Sequence, residues 1–150
     1  MVRIRRILAP TDLSDRTTCA VRYAAELADK FGAELILLHI VPDTVLALPD
    51  AVMPAPVMTS DLNALTEAGR TGLANVVAAL KLEARNPRLE VRLGSPEQEI
   101  VAAATDFGAD LVCVSTHGRD GLARVLLGSV AESVVRHAPC PVLTVRPGTC

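Results

Sequence analysis

The chain has 150 residues and a formal net charge of −2, with acidic and basic residues interspersed apart from a short Arg3, Arg5, Arg6 cluster. That size fits one domain with a real core, and the charge excludes nucleic-acid or membrane-surface binding through bulk electrostatics. Half the residues are apolar but only 2% are aromatic, so the core must be Leu, Val, Ile and Ala, which suits helices packed on a parallel sheet.

The longest apolar stretches, such as Leu35 to Val41, fall far below the roughly 18 to 20 residues that span a bilayer. Asp12, Ser14 and Asp15 interrupt the N-terminal apolar run before a signal core could form. The expectation is an unexported, cytoplasmic protein. Cys19, Cys113, Cys140 and Cys150 show no C-x-x-C spacing and read as free, mostly packed thiols.

Along the chain, short apolar runs bounded by turn signals alternate with segments of helical period. The first strand covers Arg3 to Ala9. A helix follows, with Ser14 as N-cap, Val21, Ala24, Ala25, Ala28 and Phe31 on one face, and Gly32 past its end. Leu35 to Val41 is the second strand. From Pro42 to Thr59 runs an aperiodic, proline-rich stretch without Lys or Arg, longer than ordinary connections and apolar enough to cover a ligand or a partner. The second helix covers about Ser60 to Ala84, with Leu62, Leu65, Leu73, Val76, Val77 and Leu80 inward and Gly69 and Gly72 weakening its middle.

The third strand is Leu89 to Leu93. Ser95, Pro96 and Gln98 then form an N-cap, a first-turn proline and a capping-box partner for a helix that buries Ile100, Ala103, Ala104 and Phe107 and closes at Gly108. Leu111 to Val114 is the fourth strand. The last helix starts near Gly128–Ser129 and stops before Pro139, and Val142 to Val145 is the fifth strand. Alternating strands and helices predict a doubly wound parallel α/β sheet. The run Phe31-Gly32-Ala33-Glu34-Leu35 recurs as Phe107-Gly108-Ala109-Asp110-Leu111, which implies two related halves meeting near the sheet centre.

In such a sheet ligands collect at the carboxyl ends of the strands. The loops there carry Pro10-Thr11-Asp12-Leu13-Ser14, then Val41-Pro42, then Ser115-Thr116-His117-Gly118-Arg119 running on to Gly128-Ser129. Gly118 lets a ligand approach the backbone. Gly128-Ser129 sets free amides and a hydroxyl at a helix N-terminus, which favours phosphate, although glycines after strands are as often plain turns. Asp12 also has a local reading as a turn cap. His117 has no apparent partner for general-base work and reads as a loop-orienting residue, His39 as buried and hydrogen-bonded, and His137 as a helix-end cation.

The stretch STHGRDGLARVLLGSVAESVVRHAPCPVLTV, with ILAPTDLS at the N-terminus and LLHIVP after the second strand, resembles the universal stress protein family over essentially the whole chain. Its nucleotide-binding members carry G-x-x-G, nine residues, then G-S or G-T; Gly118, Arg119 to Leu127 and Gly128-Ser129 match, while Ser115 stands at the first glycine. The resemblance implies an adenine-nucleotide alpha-hydrolase-like sheet of order 3-2-1-4-5 and binding of ATP with Mg²⁺. It places Pro10, Thr11 and Asp12 beside the sugar and base, and gives the adenine edge to the Val41 backbone. Gly118, Gly128, Ser129 and Val130 fall at the phosphates; Arg119 and Arg124, close in sequence, read as solvated surface arginines or as charge partners for the phosphates, and Ser115 offers a hydroxyl to the ribose or phosphates, or a Cβ that crowds the ligand.

In that strand order Val142 to Val145 is an apolar edge without lysines, which points to a homodimer through the last strand burying Val142, Leu143 and Val145, the alternative being that Arg146 and the tail to Cys150 cover the edge within one chain. The loops lack the acidic pair of a receiver domain, the Ser/Thr-rich phosphate loop of a flavodoxin, S-G-G-x-D-S and G-K-[ST]. No nucleophile, carboxylate pair or metal cluster marks an enzyme, so a nucleotide-binding switch is expected. A slow ATPase and a ligand-free stress dimer acting through protein partners are the alternatives.

Overall fold

A computed structural model describes residues 1–43, 59–117 and 127–150, the side chains of 59 and 60 excepted. Most of the expected lid, together with Gly118, Arg119 and Arg124, lies outside the described residues. In chain order the elements are β1 (Arg6–Pro10), α1 (Asp15–Phe31), β2 (Glu34–Pro42), α2 (Thr59–Leu80), a 3-10 turn (Glu83–Arg85), β3 (Arg88–Gly94), α3 (Pro96–Asp106), β4 (Leu111–Ser115), α4 (Ser129–His137) and β5 (Val142–Val145). The five strands are parallel in the order 3-2-1-4-5.

Alternation along each strand sorts the core onto two faces. Ile7, Ala9, Leu35, Leu37, Leu111 and Cys113 pack with Val21, Ala24, Ala25 and Ala28 of α1 and Leu73 of α2. Leu8, Ile36, Leu38, Val112 and Val114 pack on the opposite face with Ile100, Ala103 and Ala104 of α3 and Ala131 and Val134 of α4. β1 lies between β2 and β4, where the strand order reverses, and its carboxyl end is the topological switch point.

The internal echo has a structural basis. Gly32 and Gly108 take left-handed conformations, φ 63° and 59°, that let each helix hand over to a strand. Ala33 N–H donates to Ala28 and Ala109 N–H to Ala104, and the following amides of Glu34 and Asp110 donate to Arg5 and Arg6. The two copies therefore dock β2 and β4 on opposite edges of β1. The Asp110 carboxylate accepts from the amides of Arg5 (2.8 Å) and Arg6 (3.0 Å), so the strand begins at Arg6 and not at Arg3.

Several local expectations change. Phe31 is 52% exposed, because the left-handed turn at Gly32 follows it directly and it lies past the last buried face of α1. Phe107 is only half-buried, with the guanidinium groups of Arg88 and Arg92 at 4.6 and 5.0 Å from its ring centre. Ser14 and Ser95 occupy N-cap positions but make no side-chain cap bond; their hydroxyls go to Asp12 and Glu97. α2 ends at Leu80, with Lys81 at φ 55°, and its last expected turn is the 3-10 segment.

The α2 glycines make room for neighbours. A Cβ at Gly69 would meet Val91 at 3.0 Å and His39 at 3.1 Å, and one at Gly72 would overlap Leu13. The cysteines are not all free: Cys19 is disulfide-bonded to Cys150, with Cα atoms 5.8 Å apart, because the C-terminal tail turns back onto α1. Cys113 is buried, and burial pushes its thiol up to about 12. Burial, then the Asp110 charge, raises Cys140.

Candidate functional site

A cavity of about 740 Å³ opens at the carboxyl ends of the strands, over the switch point. Pro10, Thr11, Asp12, Val41, Ser115, Gly128, Ser129 and Val130 all line it, so the structure gathers every described residue singled out from the sequence. The walls also include His39, Ile40, Thr17, Leu65, Ala68 and Gly69 toward α2, and Pro96 and Ile100 toward α3.

The β1–α1 loop is held by its own side chains. Asp12 Oδ1 accepts from Ser14 N–H at 2.9 Å, Ser14 Oγ at 2.5 Å and Thr17 Oγ at 3.1 Å. Thr11 Oγ accepts the Leu13 amide at 3.0 Å and lies 2.7 Å from Thr17 Oγ. These bonds enforce a left-handed Leu13 at φ 66°, a conformation that costs a non-glycine residue on the order of 1 kcal/mol. Thr17 is buried and sits at the centre of this network. A threonine in the first turn of a helix gives no sequence signal of that role; only the fold brings it to Thr11 and Asp12.

Ladder parity assigns the backbone groups at the end of β2. Thr11 N–H donates to Leu38 C=O at 2.8 Å, so Leu38 presents its peptide groups to β1. Alternation then turns Ile40 the same way and Val41 toward β3, with which pairing continues to Pro42↔Gly94. Pairing with β1 stops at Pro10↔Leu38, and His39 Nδ1 bonds the Thr11 carbonyl at 3.0 Å. The Ile40 N–H and C=O therefore lie beyond the last β1 rung, on the cavity side. Strand parity was available in the sequence, but the rung at which β1 ends was not.

On the β4 side, Ser115 Oγ lies 3.0 Å from Arg16 C=O and 2.9 Å from His117 C=O. Its hydroxyl thus fastens the loop after β4 to α1. Thr116 is buried, with its hydroxyl 3.0 Å from His117 Nδ1. Gly128 N–H donates to Thr116 C=O at 2.7 Å, and a Cβ on Gly128 would sit 3.0 Å from that same oxygen. Gly128 is therefore needed where the returning chain crosses Thr116, at an ordinary φ of −69°.

Beyond that crossing, α4 has no side-chain N-cap, and its first intrahelical amide bond runs from Glu132 to Gly128. Among the described residues the amides of Ser129, Val130 and Ala131 meet no protein acceptor, and all three residues line the cavity. Unsatisfied amides and the positive end of a helix dipole favour a negatively charged group at this end of the cavity. His137, at the other end of α4, bonds Ser133 C=O at 2.9 Å through Nδ1.

The profile of the universal stress protein family matches residues 3–146. This chain belongs to the universal stress protein family. It is 36% identical over 145 residues to universal stress protein MJ0531 of Methanocaldococcus jannaschii, covering 95% of this chain and 82% of that one. The solved structure of MJ0577, from the same organism, superposes with a TM-score of 0.81 at 29% identity, covering 99% of this chain and 100% of that one. A universal stress protein crystallised in complex with cAMP superposes with a TM-score of 0.65 at 25% identity, covering 95% and 97%. Among the described residues no helix is long and apolar enough to cross a membrane.

Proposed function

We propose that this universal stress protein binds an adenine nucleotide, ATP in the first instance, as a ligand-responsive switch. The observation that carries the reading is one cavity with two chemically distinct ends. At one end lie the α4 amides of Ser129, Val130 and Ala131, unpaired among the described residues, beside the Gly128 crossing. At the other lie apolar walls and the Ile40 peptide edge, an N–H donor and a C=O acceptor side by side, which match the ring nitrogen and amino group of adenine. We assign that edge to Ile40 in place of Val41. A cavity of about 740 Å³ is of the size that takes a small-molecule cofactor.

Pro10, Thr11 and Asp12 form the wall between these ends, where a ribose would lie, with Asp12 already oriented by Ser14 and Thr17. Gly118, outside the described residues, belongs by the family motif to the phosphate end, and Arg119 and Arg124, also outside them, follow it closely in sequence as candidate charge partners. Among the described residues no three His, Cys, Asp or Glu side chains gather to hold a metal. Mg²⁺ would thus arrive on the phosphates, keeping waters as its other ligands. The complex of a relative with cAMP supports an adenine nucleotide as the ligand class.

The edge of β5 supports a homodimer as the state in which the switch acts. The Pro141 and Val145 carbonyls accept from the amides of Val112 and Thr116, so the peptide groups of Val142 and Thr144 face outward, unpaired with β4. Val145 is already buried against Cys19 and Ala20 within the chain, which leaves Val142 and Leu143 as the apolar groups such an interface would cover.

The test is to denature the purified protein, identify any released nucleotide by mass spectrometry, and titrate the nucleotide-free protein with ATP, with and without Mg²⁺, by calorimetry. Micromolar binding of ATP is expected. Absence of both released and titratable adenine nucleotide would refute the reading.

A further inference from the structure

The cavity wall under α2 contains a polar group that the nucleotide reading leaves unused. His39 Nδ1 lies 3.0 Å from the Thr11 carbonyl oxygen. A carbonyl only accepts, so Nδ1 carries the proton, and the neutral ring is left with Nε2 as an acceptor. Nε2 has no hydrogen-bond partner among the described residues, and no buried side-chain nitrogen there lacks one, so Nε2 is accessible. The ring lines the cavity together with Leu65, Ala68 and Gly69 of α2. Gly69 makes this possible, since a Cβ there would press on His39 Cδ2 at 3.1 Å.

We propose that His39 is a specificity-determining residue whose Nε2 accepts a hydrogen bond from the ligand, so that the site selects a 6-aminopurine over a 6-oxopurine. This inference rests on the nucleotide reading above. An exocyclic amino group has two N–H bonds: the Ile40 carbonyl, next in the chain, takes one and His39 Nε2 the other. A 6-oxo group would instead set an acceptor against both, leaving all three lone-pair sites without a proton. The Thr11 carbonyl is the part that fixes the choice, because it holds the imidazole in one tautomer. His39 thereby couples the β1 loop to the identity of the base.

The experiment compares ATP and inosine triphosphate binding by calorimetry in wild type, His39→Asn and His39→Gln. Asparagine can keep the Nδ1-like donor to Thr11 while removing the distal acceptor; glutamine extends an amide to the Nε2 position. Wild type should prefer ATP by at least about tenfold, the scale of one neutral hydrogen bond and its mismatch. His39→Asn should lose most of that preference, and so should His39→Gln, whose amide is not held by Thr11 and rotates to donate to a 6-oxo group; affinity for inorganic tripolyphosphate should be unchanged in both.

In unmodified protein the His39 Nε2 nitrogen resonance should report an unprotonated acceptor and shift on addition of ATP, not of tripolyphosphate. This measurement stands if a variant fails to fold. Wild type that binds neither triphosphate overturns the function reading and this inference together. An ATP preference that survives in His39→Asn, or a nitrogen resonance unmoved by bound ATP, overturns the His39 role alone.

Discussion

Replacing Ser129 by proline removes one amide from the α4 end of the cavity and, besides the Ser129 hydroxyl, little else. Ser129 is the first residue of α4, where proline is favoured because its missing N–H would have no intrahelical acceptor. Gly128, which precedes it, already lies at φ −69°, ψ 158°, the extended conformation a following proline demands. The fold should therefore survive, and the circular dichroism spectrum and melting temperature should change little.

A charge-assisted bond from that amide to a phosphate oxygen contributes about 1.5–3 kcal/mol, so ATP affinity should fall by about 10- to 150-fold. Ser129→Ala removes only the hydroxyl and separates its effect from that of the amide. Adenosine, which lacks phosphates, should bind wild type and Ser129→Pro within about twofold, since no bond to the removed amide is made. Calorimetry of folded Ser129→Pro showing unchanged ATP affinity, or equal losses for ATP and adenosine, would refute the phosphate assignment. Gly128→Val is a poorer probe, because its side chain would collide with the Thr116 carbonyl whether or not a ligand binds there.

Three further outcomes follow from other parts of the structure. Thr144→Pro deletes an outward-facing donor of β5 and none to β4, so it should convert a dimer to a folded monomer in sedimentation velocity; a dimer that persists rules out this edge. The Asp110 carboxyl is held below the ordinary aspartate range chiefly by the Arg5 amide, with the Arg6 amide and the charges of both arginines adding to it against desolvation. Its folded value is depressed, so its stabilisation is complete above the unfolded value and lost as pH falls through the folded one. Asp110→Asn should thus lower the urea midpoint near neutral pH, with the gap to wild type closing in strong acid, and a gap independent of pH would contradict the assignment. Protein purified without reductant and unfolded should expose the thiols of Cys113 and Cys140 alone, with Cys19 and Cys150 appearing after reduction; reaction of all four before reduction would show the pair unformed.

The strand and helix periods, the repeated Phe-Gly-Ala-acid-Leu hand-over and the glycine spacing were local properties, and they determined the element order and the end of the sheet where the site lies. Five apolar runs separated by helical segments leave a parallel sheet as the economical way to bury both faces, and Gly32 and Gly108 fix where helices stop whatever packs around them. The orphan amides at the start of α4 were legible for the same reason: a helix start carries its unsatisfied amides with it.

What the sequence left open depended on groups far apart in the chain. Where β1 ceases to pair with β2 decides that Ile40 and not Val41 turns its peptide toward the cavity. The meeting of Thr17 with Thr11 and Asp12 decides that the aspartate organises its own loop. The return of the tail to α1 brings Cys150 to Cys19 across 131 residues. Each is a matter of which donor meets which acceptor, or which sulfur meets which, once separate segments have been packed together, and composition, period and spacing carry no record of that.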